Sequence, residues 1–241
     1  MKRRMLIALA AALVCPTLSV AQERAVSPQP RFTISPFLGY AFSYTQRGTV
    51  RFVDSQGVYA ADYVRQVKGG WMPGVSAEYR LPGRFGASAS AAYNHRGDES
   101  LSTNFIDVAP LYSSGGSMWF LRGAVTMDLK EDDADLRITQ PTGRVSLGPA
   151  LVREVPDAKT GRPATNAFAL NGAATAELPL PWKGFAFRAT FEDYMAFLPR
   201  GDLGVQLGAD LTSQVGHAFG AELSGGATNL YVLQAGLSYN F

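Results

Sequence analysis

Cysteine is almost missing from this chain: Cys15 is the only one among 241 residues. A disulfide framework is therefore excluded, and so is a thiolate metal site. Histidine is nearly as scarce, with only His95 and His217, too few for a histidine-rich metal centre. Long apolar runs are also lacking. Beyond residue 21 no stretch reaches the roughly 18 apolar residues that a membrane-crossing helix needs. Helical periodicity is sparse throughout. What remains is 25 glycines, 14 phenylalanines and 10 tyrosines, set in segments where apolar residues alternate with small or polar ones. That combination predicts an all-β fold.

The N-terminus reads as an export signal. Lys2, Arg3 and Arg4 precede an apolar stretch from Met5 to Val14, Pro16 breaks it, and Ser19-Val20-Ala21 supplies small residues for cleavage before Gln22. A second reading makes Cys15 a lipoprotein cysteine, but Val14 stands before it where a small residue is expected. The signal carries three of the 22 basic residues and none of the 20 acidic ones, leaving 19 against 20 in the mature chain, a net of −1. The basic pI thus derives from the signal and does not point to nucleic acid. The expected organisation is a signal over 1–21, a periplasmic lead over 22–31 and one β-barrel over 32–241.

Alternation defines the strands. Phe32, Ile34, Leu38, Tyr40, Phe42 and Tyr44 share one face, with Thr33, Ser35, Gly39, Ala41 and Ser43 opposite; Pro36 and Phe37 break the two patterns. A long stretch, 46–70, reads as a loop. The second strand starts at Trp71 and the third at Phe85, joined across Pro82-Gly83 as the clearest hairpin. Further strands centre on Leu121, Leu147, Leu170 and Phe187, and the last runs from Tyr231 to Phe241. Short turns alternate with long connections, the rhythm of a membrane barrel. The expected architecture is an antiparallel up-and-down transmembrane β-barrel of eight strands. Residues 198–228 read as a fourth long loop with a hairpin of its own; if Leu203–Leu211 and Phe219–Leu223 instead join the wall, the barrel has ten strands.

Alternation alone does not say which face meets water. Two features favour lipid on the Phe/Tyr/Leu side. The opposite face is built of Gly, Ala, Ser and Thr plus charges, which suits a narrow lumen. Aromatics also gather near strand ends: Tyr44, Trp71, Tyr93 and Trp119 on the loop side, Phe32, Tyr79, Trp182 and Tyr239 on the turn side. Such rings form girdles at the two interfaces, with Trp71, Trp119 and Trp182 as expected interface residues.

The ending Leu233-Gln234-Ala235-Gly236-Leu237-Ser238-Tyr239-Asn240-Phe241 resembles the C-terminal signature of bacterial outer-membrane barrels. With the export signal and the loop rhythm over 32–241, the chain resembles the outer-membrane protein β-barrel domain family of small eight-stranded barrels. That resemblance implies residence in the bacterial outer membrane and contact with its lipids. It also implies recognition of Leu237, Tyr239 and Phe241 by the outer-membrane assembly machinery.

Eight charges fall on the small-residue face: Glu78, Arg80, Arg122, Asp128, Arg144, Glu177, Arg188 and Glu192. Four acids and four bases inside a narrow wall are costly unless paired, so the expectation is a lumen closed by a polar network. Glu192 and Arg188 lie about 13 Å apart along one strand; partners are expected on neighbouring strands. A gated ion path is the alternative. A hydrolase would need a Ser/His/acid set such as His217 with Ser213 and Asp210 or Glu222; neither His95 nor His217 sits in a recognisable motif. Glu131-Asp132-Asp133 lacks the spacing of a calcium loop. The chain is therefore expected to be a non-enzymatic monomer with no cofactor, no metal and no nucleic-acid partner, acting in envelope structure or through its loops.

Overall fold

The computed structural model describes residues 32–54, 57–81, 83–103, 112–129, 141–158, 163–198, 212, 220–224 and 227–241. The signal segment, the periplasmic lead, Cys15, Glu131-Asp132-Asp133 and the alternating residues 203–211 lie outside them. The described chain forms eleven strands: β1 (Phe32–Ala41), β2 (Tyr44–Asp54), β3 (Gly57–Val67), β4 (Gly70–Arg80), β5 (Phe85–Thr103), β6 (Tyr112–Asp128), β7 (Thr142–Pro156), β8 (Thr165–Pro179), β9 (Phe185–Ala196), β10 (Gly220–Ser224) and β11 (Thr228–Asn240).

Eight of them close a cylinder. The order is β5-β4-β1-β11-β9-β8-β7-β6, and β6 pairs back onto β5. All pairings are antiparallel, and the wall seals where β1 meets β11, from Thr33↔Asn240 to Ala41↔Val232. Closure leaves no open edge in the wall, the condition for β-structure in lipid, where an unpaired N–H or C=O has no water to bond. Gly83 and Gly184 adopt φ of 91° and 83°, a region that favours glycine, and so permit the tight β4–β5 and β8–β9 turns. Each turn closes on a backbone bond, Leu81 N–H to Phe85 O and Leu180 N–H to Phe185 O, both 3.0 Å.

The residue faces are inverted relative to a soluble barrel. Trp71 and Leu147 are 63% and 68% exposed on the outer wall, while Arg65 and Glu78 inside are at 0% and 1%. The outer wall is therefore the apolar one, and only lipid solvates it favourably. Two aromatic rings bound it. The lower holds Phe32, Phe185, Tyr239 and Phe241, with Phe32–Phe241 centroids 5.9 Å apart and Tyr239–Phe241 4.7 Å. The upper holds Tyr40–Trp71 at 5.5 Å, Tyr93–Trp119 at 4.8 Å and Phe168–Phe197 at 6.5 Å.

Two stretches differ from the sequence expectation. Most of the stretch 46–70 is not an irregular loop: its residues 46–54 and 57–67 belong to the β2–β3 hairpin, paired from Tyr44↔Val67 to Asp54↔Gly57 and rising above the upper ring. β3 docks on the outer part of β5, which at 19 residues is far longer than the roughly ten that cross a bilayer. The segment after residue 198 contributes β10, which pairs with β2; the rest of the hairpin expected there lies outside the described residues. Strand number is set by the wall, and the wall has eight. Tyr44 also departs from expectation: it packs against the buried apolar cluster, because the strand is interrupted at Phe42-Ser43 and the inward parity shifts between β1 and β2.

Phe37, which breaks the small-residue face of β1, has a packing reason. It stands in register with Gly74 of β4 on one side and Gly236 of β11 on the other. A Cβ at Gly74 would strike the Phe37 ring, and one at Gly236 would strike the Pro36 carbonyl oxygen and Phe37 Cα. One large ring thus occupies space that two glycines leave open. Gly236→Val is expected to destabilise the barrel by about 2 kcal/mol or more, read as a lowered urea midpoint in lipid vesicles, whereas Gly123→Val, at an open outer-wall position, should leave the midpoint within experimental error.

Candidate functional site

Among the described residues, charged side chains converge in the lumen, and strand parity puts them there. Successive inward residues ascend each strand, so the lumen is filled in layers.

The lowest layer holds three arginines and three carboxylates. Glu78 of β4 is its hub. One Glu78 oxygen receives Arg144 Nη1 at 2.6 Å and Arg188 Nη1 at 3.4 Å, and the other lies 3.5 Å from Arg80 Nε. Arg144 also binds Asp128 through Nε at 2.8 Å, and Arg80 reaches Glu177 at 3.3 Å. Ser238 of β11 donates to the second Glu177 oxygen at 2.9 Å.

Above it, Arg122 of β6 meets Glu192 of β9 at 2.5 Å and donates to Asn171 Oδ1 at 3.0 Å. Glu192 further accepts from the Tyr194 hydroxyl and from Gln234 Nε2, each at 2.7 Å. Next comes an apolar layer that includes Met72, Met118, Phe120, Val152, Leu230 and Val232; the Phe120 and Tyr194 rings lie 5.0 Å apart.

The top layer sits under the β2–β3 hairpin. Arg65 of β3 grips Glu99 with two bonds, at 2.8 and 2.9 Å, and also binds Glu154 of β7. Gln46 Oε1 accepts from Arg65 at 3.2 Å. Arg96 lies 3.3 Å from both Glu99 and Glu154. Burial works against the Arg65 charge, but the Tyr44 oxygen and the carboxylates of Glu154 and Glu99 outweigh it and hold its pKa well above the ordinary arginine value.

All eight charges singled out from the sequence are buried in the lumen. Their partners differ from expectation in one respect. Arg144–Asp128, Arg144–Glu177 and the flanking Arg80–Glu78 contact are local to one strand or to adjacent strands. Arg122–Glu192, Arg80–Glu177, Arg144–Glu78 and Arg188–Glu78 cross the lumen, because an eight-stranded bore is narrow enough for two long side chains to meet from opposite walls.

The sequence reading missed the top layer. Arg96 and Glu154 continue the parity of Asn94 and Val152, so extending those strands by two residues finds them. Glu99 does not follow parity. Between Arg96↔Gly116 and Glu99↔Ser114, β5 takes three steps while β6 takes two, a bulge that turns both residues inward.

Trp71, Trp119 and Trp182 are exposed on the outer surface, as are Leu237, Tyr239 and Phe241 of the last strand. His95 is exposed on the outer wall of β5, and Glu222 is exposed on β10. His217, Ser213 and Asp210 lie outside the described residues. Among the described residues no three His, Cys, Asp or Glu side chains converge as a metal site.

No protein-family profile and no curated protein matches the chain. Among solved structures, the outer membrane protein OprG from Pseudomonas aeruginosa superposes with a TM-score of 0.57, covering 88% of this chain and 97% of its own at 11% identity. Neisserial surface protein A (NspA) gives 0.42 at 11% identity, covering 87% and 97%; Ail of Yersinia pestis gives 0.35 at 12% identity, covering 87% and 99%. At those scores the second and third likenesses add nothing to the first. The fold is that of the small eight-stranded outer-membrane barrels. With its apolar outer wall, this chain is an integral barrel of the outer-membrane type.

Removing one member of a cross-lumen pair strands a buried charge, whereas removing both does not. Arg122→Met is expected to cost about 3 kcal/mol in urea unfolding from vesicles, and adding Glu192→Met should restore most of the loss. Glu78→Gln, which leaves three arginines facing two carboxylates, should cost at least as much as Arg122→Met. Equal losses for the Arg122 single and the double variant would contradict this account.

Proposed function

We propose that this protein is a non-enzymatic, non-conducting barrel of the outer membrane that carries its β2–β3 hairpin outside the cell as an interaction surface. The observation that carries the reading is the filled lumen. Among the described residues, polar layers below, an apolar layer above them and a second polar layer under the hairpin cross the bore at successive levels. A cavity beside Ser35, Ser76, Arg188 and Thr190 measures about 10 Å³, room for about one water molecule. A path for hydrated ions or metabolites needs far more. Buried charges that neutralise one another also stiffen the wall from within, a role that needs no substrate.

The hairpin supports the second half of the reading. It is a fully paired ladder, braced by β5 on one side and β10 on the other and tied down by Arg65, so whatever it presents is held in a fixed place. Rigid presentation lowers the entropy cost of binding a partner. Lipids contact the apolar outer wall, and Leu237, Tyr239 and Phe241, exposed together on β11 and at its end, form an apolar edge suited to recognition by the assembly machinery. One copy closes its own wall, so the reading is of a monomer.

Planar-bilayer recordings test the closed lumen: purified protein is expected to give no discrete conductance steps, and reproducible steps that an Arg122→Met or Phe120→Ala variant enlarges would replace this reading with that of a narrow pore. Exchange of residues 46–66 for a short Gly/Ser linker should leave heat-modifiable migration intact and abolish whatever surface binding the wild-type protein shows on cells that display it. Unchanged surface behaviour would remove the hairpin from the account.

A further inference from the structure

Just above the upper aromatic ring, one side of the outer wall presents bases that this chain does not pair. Arg153 of β7 stands in register with Trp119 on β6 and Asn166 on β8. The row beneath it is Leu121, Leu151 and Phe168, all exposed on the wall. The ring steps down from Trp119 on β6 to Phe168 on β8, one row lower, because the strands are tilted. Arg153 therefore stands above the ring. On β5, His95 lies two residues beyond Tyr93, about 7 Å along the strand, or about 5 Å higher at a tilt of about 45°. That is the level of lipid headgroups, since girdle rings sit at the boundary itself.

Strand spacing and rise put the Arg153 and His95 Cα atoms about 12 Å apart. Ser117 of β6 lies between them, in register with His95. Its neighbour Met118 is buried in the lumen at 2% exposure, so parity turns Ser117 outward. Among the described residues, no side chain forms a hydrogen bond or ion pair with Arg153, His95 or Ser117. Asp157, four residues beyond Arg153 and about 13 Å along an extended chain, is too far to pair with it. The arginines of the lumen are all held against carboxylates; Arg153 faces outward without one. The other side of the barrel is different. At this level β1, β9 and β11 present Phe42, Phe197, Asn229 and Tyr231, with no base among the described residues.

We propose that His95, Ser117 and Arg153 bind the phosphate of a phosphorylated lipid in the outer leaflet, with its acyl chains lying on Leu121, Leu151 and Phe168. A guanidinium, an imidazole N–H and a hydroxyl all donate, and they come from three neighbouring strands. A phosphate monoester brings about −1.5 to −2 charge and three acceptor oxygens, enough to engage all three. The apolar row directly below favours a lipid over a free anion, because the same molecule then covers both. The proposal gives the lipid contact suggested above a headgroup. It rests on the outer-membrane placement, not on the closed lumen or the hairpin.

Native mass spectrometry of the intact barrel in mild detergent tests it with two probes: lipid A carrying its phosphate monoesters, and the same lipid A dephosphorylated. Wild-type protein is expected to retain the phosphorylated form about fivefold better or more, the share of charge-assisted bonds. Arg153→Gln should bring that ratio close to one, Arg153→Lys should keep part of it, and His95→Ala should lower it about twofold. Lys183→Gln removes one exposed positive charge at the opposite, short-turn rim and should leave the ratio unchanged. Heat-modifiable migration reports that each variant folds. Equal retention of the two probes by wild type overturns the proposal, as does a preference that survives Arg153→Gln combined with His95→Ala. A loss with Lys183→Gln as large as with Arg153→Gln also overturns it, in favour of overall charge. Complete displacement of the lipid by inorganic phosphate would replace it with a site for the free anion.

Discussion

Eight strands enclose a bore about as wide as an ordinary hydrophobic core, and nearly everything else in this molecule follows from that width. Long inward side chains meet from opposite walls, so the lumen is packed much as a protein interior is packed. Small residues fill most inward positions because the bore holds only a few large side chains at each level. Where a large one occurs, as at Phe37, glycines on both neighbouring strands make room. Where charges occur, the same narrowness lets Arg122 and Glu192 join across the bore. The penalty of burying them is offset by short, multiply bonded contacts.

The outer wall answers a different solvent. A closed ladder satisfies its backbone, leaving the side chains free to be apolar. Departures from regular pairing are confined to places with a local cause. Between Ile34↔Tyr239 and Phe37↔Gly236 the β1–β11 register has no paired residue, and Pro36, which lacks an N–H, sits in that gap. A like gap in β6–β7 falls beside Pro149 and Gly148. The wall tolerates both because neighbouring rungs continue on either side.

The fold was legible because a strand's side-chain period is two and the wall uses it strictly: Phe32, Leu38 and Tyr40 faced one way, Thr33, Ser35 and Gly39 the other. The inward positions of Glu78, Arg122 and Glu192 followed from the same parity. Which arginine meets which carboxylate was not legible, because partners across a cylinder are set by strand tilt and stagger, which one strand's sequence does not contain. The β2–β3 hairpin was also hidden. Its inward face mixes Gln46, Val50, Phe52, Tyr63 and Arg65, so polar and apolar residues share one side and the alternation is blurred. Glu99 lay beyond reach for another reason, since one extra residue in β5 shifts parity from that point onward.

The charge layers have an electrical consequence. Three arginines oppose three carboxylates at the bottom, one opposes one in the middle, and two oppose two at the top. Each level sums to zero, so a potential difference between periplasm and exterior finds no net gating charge to displace along the bore.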